Sequence, residues 1–193
     1  MHLIQHNLNV MHIEKYVFDN IFNNMMDIKG KTKDNLNVWK DLKIICKCPE
    51  LELDGRRPNA MPKAVYTMMK EHKRTGEWIR GLKFFDGYVS NVARCIDMTE
   101  LGMHGMKSYD CHVFIQKLIS IAFHDMLSEH VWSVLTEVSL LFQSIWSTML
   151  DVIKLHELEH SVDVIMCNFE KIFSPIFFNS MEHLMSTCHM RLV

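Results

Sequence analysis

A chain of 193 residues that is 48% hydrophobic and 23% charged has the composition to build the core of one domain or slightly more. Its net charge of −2 and pI near 6.6 argue against a dedicated nucleic-acid binder, which carries a strong basic footprint. No apolar run reaches membrane-spanning length, and Met1 to Val10 lacks the basic and apolar regions of a signal peptide. The six cysteines, in a chain with no secretory signal, read as reduced thiols of a cytosolic or nuclear protein. Sixteen Met against seven Gly and four Pro leave few helix breakers and predict a helical protein.

The first predicted helix runs from about Val10 to Asp27, with Val10, Ile13, Val17, Ile21 and Met25 on one face and Gly30 as its stop. A second, short helix is expected over Asn35 to Ile45. Three of the four prolines fall between Cys48 and Pro62, which reads as a loop. The next helix is expected over Pro62 to Leu82, with Pro62 in its first turn. A short helix capped by Ser90 or Asn91 should end near Met98, before Gly102 and Gly105 interrupt the chain.

From Ser108 onward the pattern is helical and periodic. Val113, Phe114, Lys117, Leu118, Ile121 and Ala122 form one stripe. A longer series runs from Val131 through Val134, Leu135, Val138, Leu141, Phe142, Ile145 and Trp146 to Met149. A third runs from Leu155 through Leu158, Val162, Ile165, Met166, Phe169 and Ile172 to Phe173. Ser128 and Asp151 are the expected N-caps of the last two helices. Short turns between such helices predict antiparallel packing, so the expected fold class is all-α: a C-terminal antiparallel bundle with a looser helical N-terminal half.

Three groups of residues could carry chemistry. His156-Glu-Leu-Glu-His160 matches the His-Glu-x-x-His pattern, in which two histidines one helical turn apart bind Zn²⁺ and Glu157 serves as general base. The buried stripe through Leu155, Leu158 and Val162 turns His156 and Glu157 toward solvent, and Glu182 is the one evident third ligand downstream. The expectation is a coincidental match on an exposed face, with a zinc hydrolase as the alternative. Cys46-Lys-Cys48 and Cys188-His189 lack partners at zinc-site spacing. Asp110-Cys111-His112 could pair a nucleophile with a base, but neighbours on a helix do not face each other. A helix N-terminus capped by Ser108 or Asp110 is the simpler reading. Lys29 to Lys33, Arg56-Arg57 and Lys63 could touch phosphates, but Asp27, Asp34, Glu50, Glu52 and Asp54 offset them and predict solvated loops.

Several stretches, in order along most of the chain, carry a family likeness: Val10-Met-His-Ile-Glu-Lys15, Asp27-Ile-Lys-Gly-Lys-Thr-Lys-Asp34, Tyr66-Thr67 with Lys70-Glu71, Gly87-Tyr-Val-Ser-Asn91, Gly105-Met-Lys-Ser108 with Asp110-Cys-His-Val113, and Phe173 through His183. With them the chain resembles the C-terminal portion of the transposase of plant CACTA (En/Spm-type) transposons. More closely, it resembles the plant domain of unknown function that follows that transposase domain. The resemblance implies residues 1–34 as the residual edge of a transposase core and 35–105 as a helical linker region. It further implies 106–185 as the helical domain and 186–193 as a divergent tail.

The family's core cuts DNA with acidic residues and divalent metal, and an Asp-x-x-His or Cys-x-x-His signature belongs to it. The matching positions here are Asn9 and His12, and an amide cannot supply the charge a hard cation requires. Glu14, Asp110, Cys111 and His112 are further family-motif positions without an assigned role. Tyr16, Tyr109, Ser120, Ser174 and Asn179 depart from the family pattern, the Arg74 to Glu77 segment is a residue short, and the ending after Leu184 diverges. The resemblance therefore implies a transposon-derived, non-catalytic fragment that uses no cofactor or metal. A nuclear location is implied, and a cytoplasmic one otherwise. Expected partners are transposase copies or other protein chains, with neither nucleic acid nor membrane bound by this fragment alone.

Overall fold

Spacing of three and four between apolar residues puts Val10, Ile13, Val17, Ile21 and Met25 on one face, and in the computed structural model these residues form helix α1 (Val10–Met25) with that face fully buried. Phe18 and Phe22 widen the stripe, and their rings stack with centroids 5.6 Å apart. The structure describes residues 10–28, 30–32, 64–67, 72–82, 92–98, 103–147 and 152–173, with Asn37, Lys40 and Phe177.

The end of α1 corrects the expected stop at Gly30. Asp27 adopts the left-handed conformation at φ 46°, two residues after the helix ends. The Ile28 N–H reaches back to the Asn23 carbonyl at 3.0 Å and the Asp27 N–H to Asn24 at 3.2 Å. This is a Schellman ending, with Asp27 in the place that glycine usually fills and Ile28 tucked into the core. Gly30, at φ 79°, shapes the following turn instead.

The helix expected over Asn35 to Ile45 lies outside the described residues except for Asn37 and Lys40, which are helical and exposed. The helix expected from Pro62 is shorter than anticipated: α2 spans His72–Gly81. Upstream, residues 64–67 form a turn closed by the Thr67 N–H on the Ala64 carbonyl at 3.0 Å. Tyr66 stacks on Phe173 with centroids 4.5 Å apart, so a tertiary contact fixes this segment, while β-branched Val65 and Thr67 weaken its helical preference. Gly76 is buried in α2, and a Cβ there would stand 3.0 Å from the Met98 sulfur.

Helix α3 (Val92–Cys95) is a single turn that ends before the expected Met98. Its chain is pulled away because Ile96 bridges Met103 and the His104 N–H bonds to the Cys95 carbonyl at 2.7 Å. Ser90 and Asn91 lie outside the described residues.

Helix α4 is continuous but changes pitch: α-helical over Ser108–Val113, π-helical over Phe114–Leu118, and α-helical again over Ile119–Ala122. Helices α5 (Glu129–Ile145) and α6 (Val152–Ile172) follow. Ser128 occupies the expected N-cap position of α5, yet its hydroxyl makes no capping bond; Asp151 lies outside the described residues.

Three contacts fix the antiparallel arrangement of α4 and α5. Trp132 Nε1 donates to the Ser120 carbonyl, Ser139 to that of Gln116, and Trp146 meets His112, so one helix runs down as the other runs up. Helix α6 returns along α5: Asn168 donates to Glu137 at one end, and Ser147 and Glu157 line the other. Among the described residues the fold is all-α, with no strand. One hydrophobic core joins α1 to α4, α5 and α6 and closes on the aromatic stack of Tyr66, Phe169, Phe173 and Phe177. No helix among the described residues is long and apolar enough to cross a membrane.

Candidate functional site

Glu14 lies in the middle of the apolar face of α1, four residues after Val10 and four before Phe18, and it is completely buried. A buried carboxyl must find partners, because losing water without replacement costs several kcal/mol, on the order of 2–7 even for a neutral polar group. Glu14 finds them on α4, about a hundred residues away. His112 Nδ1 stands 2.7 Å from Oε2, and Gln116 Nε2 donates to Oε1 at 2.8 Å. Trp146, just past the end of α5, adds a smaller downward pull on the carboxyl's pKa, and its ring meets His112 edge-on with centroids 4.8 Å apart. The 2.7 Å contact holds one proton, donated by His112 when Glu14 is ionised and by Glu14 when it is neutral. Burial pushes the Glu14 carboxyl above its ordinary value, against the smaller pulls of Gln116, His112 and Trp146.

The π-helical turn brings Gln116 into this position. A π turn holds one more residue than an α turn and re-aims the side chains that follow it. Here the Ile119 N–H reaches back five residues to the Phe114 carbonyl. The Gln116 carbonyl is met from α5 by the Ser139 hydroxyl at 3.1 Å and by Gln143 Nε2 at 2.6 Å. Gln116 therefore ties α1 through its side chain and α5 through its backbone.

A second polar group lies beside the first along α1. Lys15 Nζ donates to the Met106 carbonyl at 3.0 Å. Asp19 is held above the ordinary carboxylate range by burial, with Lys15 and Lys31 pulling the other way. Cys111 is fully buried, and its thiol is pushed up to about 12, chiefly by burial and then by the nearby Asp19 charge. Such a thiol supplies almost no thiolate at neutral pH, so the pairing of Cys111 with His112 as nucleophile and base does not form. Asp110 is buried and accepts the Lys107 N–H at 3.0 Å, closing the first turn of α4. Lys107, rather than Ser108, is the N-cap residue, and Asp110 holds it.

Of the residues singled out by sequence, the structure thus brings Glu14 and His112 together. It sets His12 apart on the exposed side of α1. His156, Glu157 and His160 are exposed on α6, and among the described residues no three His, Cys, Asp or Glu side chains are grouped to hold a metal ion. Lys31 is exposed beside His104, with Nζ 3.2 Å from Nδ1. Asn9, Lys29, Lys33, Cys46, Cys48, Arg56, Arg57, Lys63, Glu182, Cys188 and His189 lie outside the described residues.

The other face of α5 forms an open groove with α6, of about 610 Å³, whose lining includes Leu140, Leu141, Leu158, Val164 and Ile165. Leu140 is 55% and Val164 45% exposed, so the groove presents apolar surface to water. Glu137 and Glu157 stand in its lining with Ser144, Ser147, His160 and Ser161. No residue of the Glu14 network lines it.

Glu14 and Gln116 are buried and hydrogen-bonded, and no residue of their network lines the groove, which is the arrangement of a structural tie. The groove is the accessible feature. Sequence periodicity marks its apolar residues but assigns no role to Gln116, Ser139 or Gln143, and it puts Trp146 in the buried stripe of α5, where the structure leaves it 44% exposed beside His112. The available signal is a glutamate inside the stripe of α1; Gln116 lies off the stripe expected for α4 and becomes a core residue only in the π turn. Polar residues at core positions require partners. No family model, curated protein or solved structure matches the chain.

Proposed function

We propose that this protein is a helical interaction module derived from a CACTA-type transposon protein, working in the nucleus by binding other protein chains and performing no nuclease chemistry of its own. The observation that carries the binding part is the α5/α6 groove, where apolar Leu140 and Val164 remain exposed. Grooves of this kind take the apolar face of an amphipathic helix. Two facts support the non-catalytic part: the motif residues Glu14, Asp110 and Cys111 are spent inside the fold, and Asn9 stands where the family's signature has Asp or Cys. The transposon origin rests on the sequence resemblance.

The binding part is tested with an uncharged amphipathic helical peptide, reading hydrogen exchange of the intact protein. Protection concentrated in α5 and α6 is expected, whereas no protection anywhere would remove the reading. The non-catalytic part is tested with transposon-end DNA and Mg²⁺ or Mn²⁺. Cleavage that disappears in a His12→Ala variant would overturn it.

A further inference from the structure

We infer that the partner of the α5/α6 groove is an amphipathic helix whose polar flanks are basic, supplied by another protein. This rests on reading the groove as a docking surface and adds the chemistry of its occupant.

The groove follows α5 from Glu137 to Ser147. At 1.5 Å per residue this is roughly 15 Å, the length of about three helical turns. A partner helix would present apolar side chains at i, i+3 or i+4, and i+7 to the floor of Leu141, Leu158 and Ile165, between Leu140 and Val164. The Ser144 hydroxyl donates to the Leu140 carbonyl and that of Ser161 to the Glu157 carbonyl. Both are thereby satisfied within their own helices, which leaves small walls that a second helix can approach closely.

The charge of the hairpin sets the sign of the partner. Helix α5 contains no Lys or Arg, and α6 has only Lys154 and Lys171. Against these two lysines the two helices carry six carboxylates, a net −4 in a chain whose total is −2. The acidity is therefore local to this hairpin, and the rest of the chain is net positive. Two of the carboxylates, Glu137 and Glu157, line the groove, and among the described residues no Lys or Arg does. Asn168 Nδ2 holds Glu137 Oε2 at 3.3 Å, which fixes that charge beside the floor. An acidic partner would meet like charges on desolvation, whereas a basic one gains complementarity and faster encounter.

The test uses three synthetic peptides with one Leu/Ile stripe and polar flanks of Lys/Arg, Gln or Glu, titrated into the intact protein by fluorescence anisotropy at low and high salt. The basic peptide should bind about tenfold tighter than the Gln peptide at low salt, with the gap closing at high salt. Glu137→Gln with Glu157→Gln should erase most of that preference, while Leu140→Ser with Val164→Ser weakens all three peptides alike. Glu157, Leu140 and Val164 are exposed and Glu137 is half-buried, and unchanged circular dichroism verifies the folding of both variants. Equal binding of the Gln and basic peptides overturns the basic partner and leaves the docking surface intact. No binding by any peptide overturns both. A concentration-dependent dimer in sedimentation, lost in Leu140→Ser and competing with the peptide, assigns the groove to a second copy and overturns the inference.

Discussion

Truncating Glu14 to alanine should destabilise the fold by about 2–4 kcal/mol, because the network closes through its carboxyl. Gln116, which is buried, would lose the acceptor at 2.8 Å from its Nε2 and keep only the longer contacts to His112 Nδ1 at 3.1 Å and the Phe142 carbonyl at 3.4 Å, so one of its two N–H groups loses its best partner. A stranded buried donor costs about 1–3 kcal/mol. The void left by the missing carboxyl and methylene, roughly 50 Å³, adds about 1 kcal/mol at about 24 cal/mol per Å³. His112 contributes less, since its side chain is 17% exposed and can turn to water. Burying the carboxyl is itself unfavourable, as the upward shift of its pKa shows, and this holds the total at the lower end of the range for a broken buried pair. Urea unfolding followed by tryptophan fluorescence is the assay, since Trp146 lies in the network.

The companion variant Glu14→Leu with Gln116→Leu replaces both polar groups by apolar ones of similar volume. It should recover most of the loss and come within about 1 kcal/mol of wild type. A Glu14→Ala loss below about 0.5 kcal/mol, or a double variant as unstable as the sum of its singles, would refute the reasoning that this network ties α1 to α4.

Other outcomes follow from the same structure. Because burial raises the Glu14 pKa, its contribution to stability is full below the ordinary value of 4.5 and falls as pH rises through the folded value. Relative to Glu14→Gln, wild type should therefore lose stability with rising pH in urea titrations; the opposite slope would mean that the pair with His112 behaves as an ordinary ion pair. Cys167 is exposed and should react with a thiol reagent in the folded protein, while Cys111, with its thiol pushed up to about 12, should react only on unfolding; mapping the labelled peptides by mass spectrometry checks both. Phe173→Ala should cost about 3–5 kcal/mol, because it removes the ring shared by Tyr66, Phe169 and Phe177, and calorimetry reads the loss. If His156 and His160 are simply solvated, His156→Ala with His160→Ala should change neither the bound zinc of the purified protein, by elemental analysis, nor its melting temperature; a loss of stoichiometric zinc would restore the hydrolase alternative.

The sequence by itself determined the helical class, the registers of α1, α5 and α6, and which faces would be buried. Apolar residues recurring every three or four positions can bury together only in a helix, as Val10 through Met25 and Val131 through Ile145 do. It also placed Asp110 at a helix start and turned His156 and Glu157 outward. Tertiary structure decided what periodicity cannot encode. The turn at residues 64–67 depends on Tyr66 meeting Phe173, and the ending of α1 depends on Ile28 packing into the core over a left-handed Asp27. The network depends on Glu14 and His112, ninety-eight positions apart in sequence, arriving at 2.7 Å. Local pattern could flag Glu14 at a core position as an anomaly, but it leaves Gln116 off the expected stripe of α4. Only the packing of α1 against α4, with a π turn aiming Gln116 between them, could supply the partners that make their burial possible.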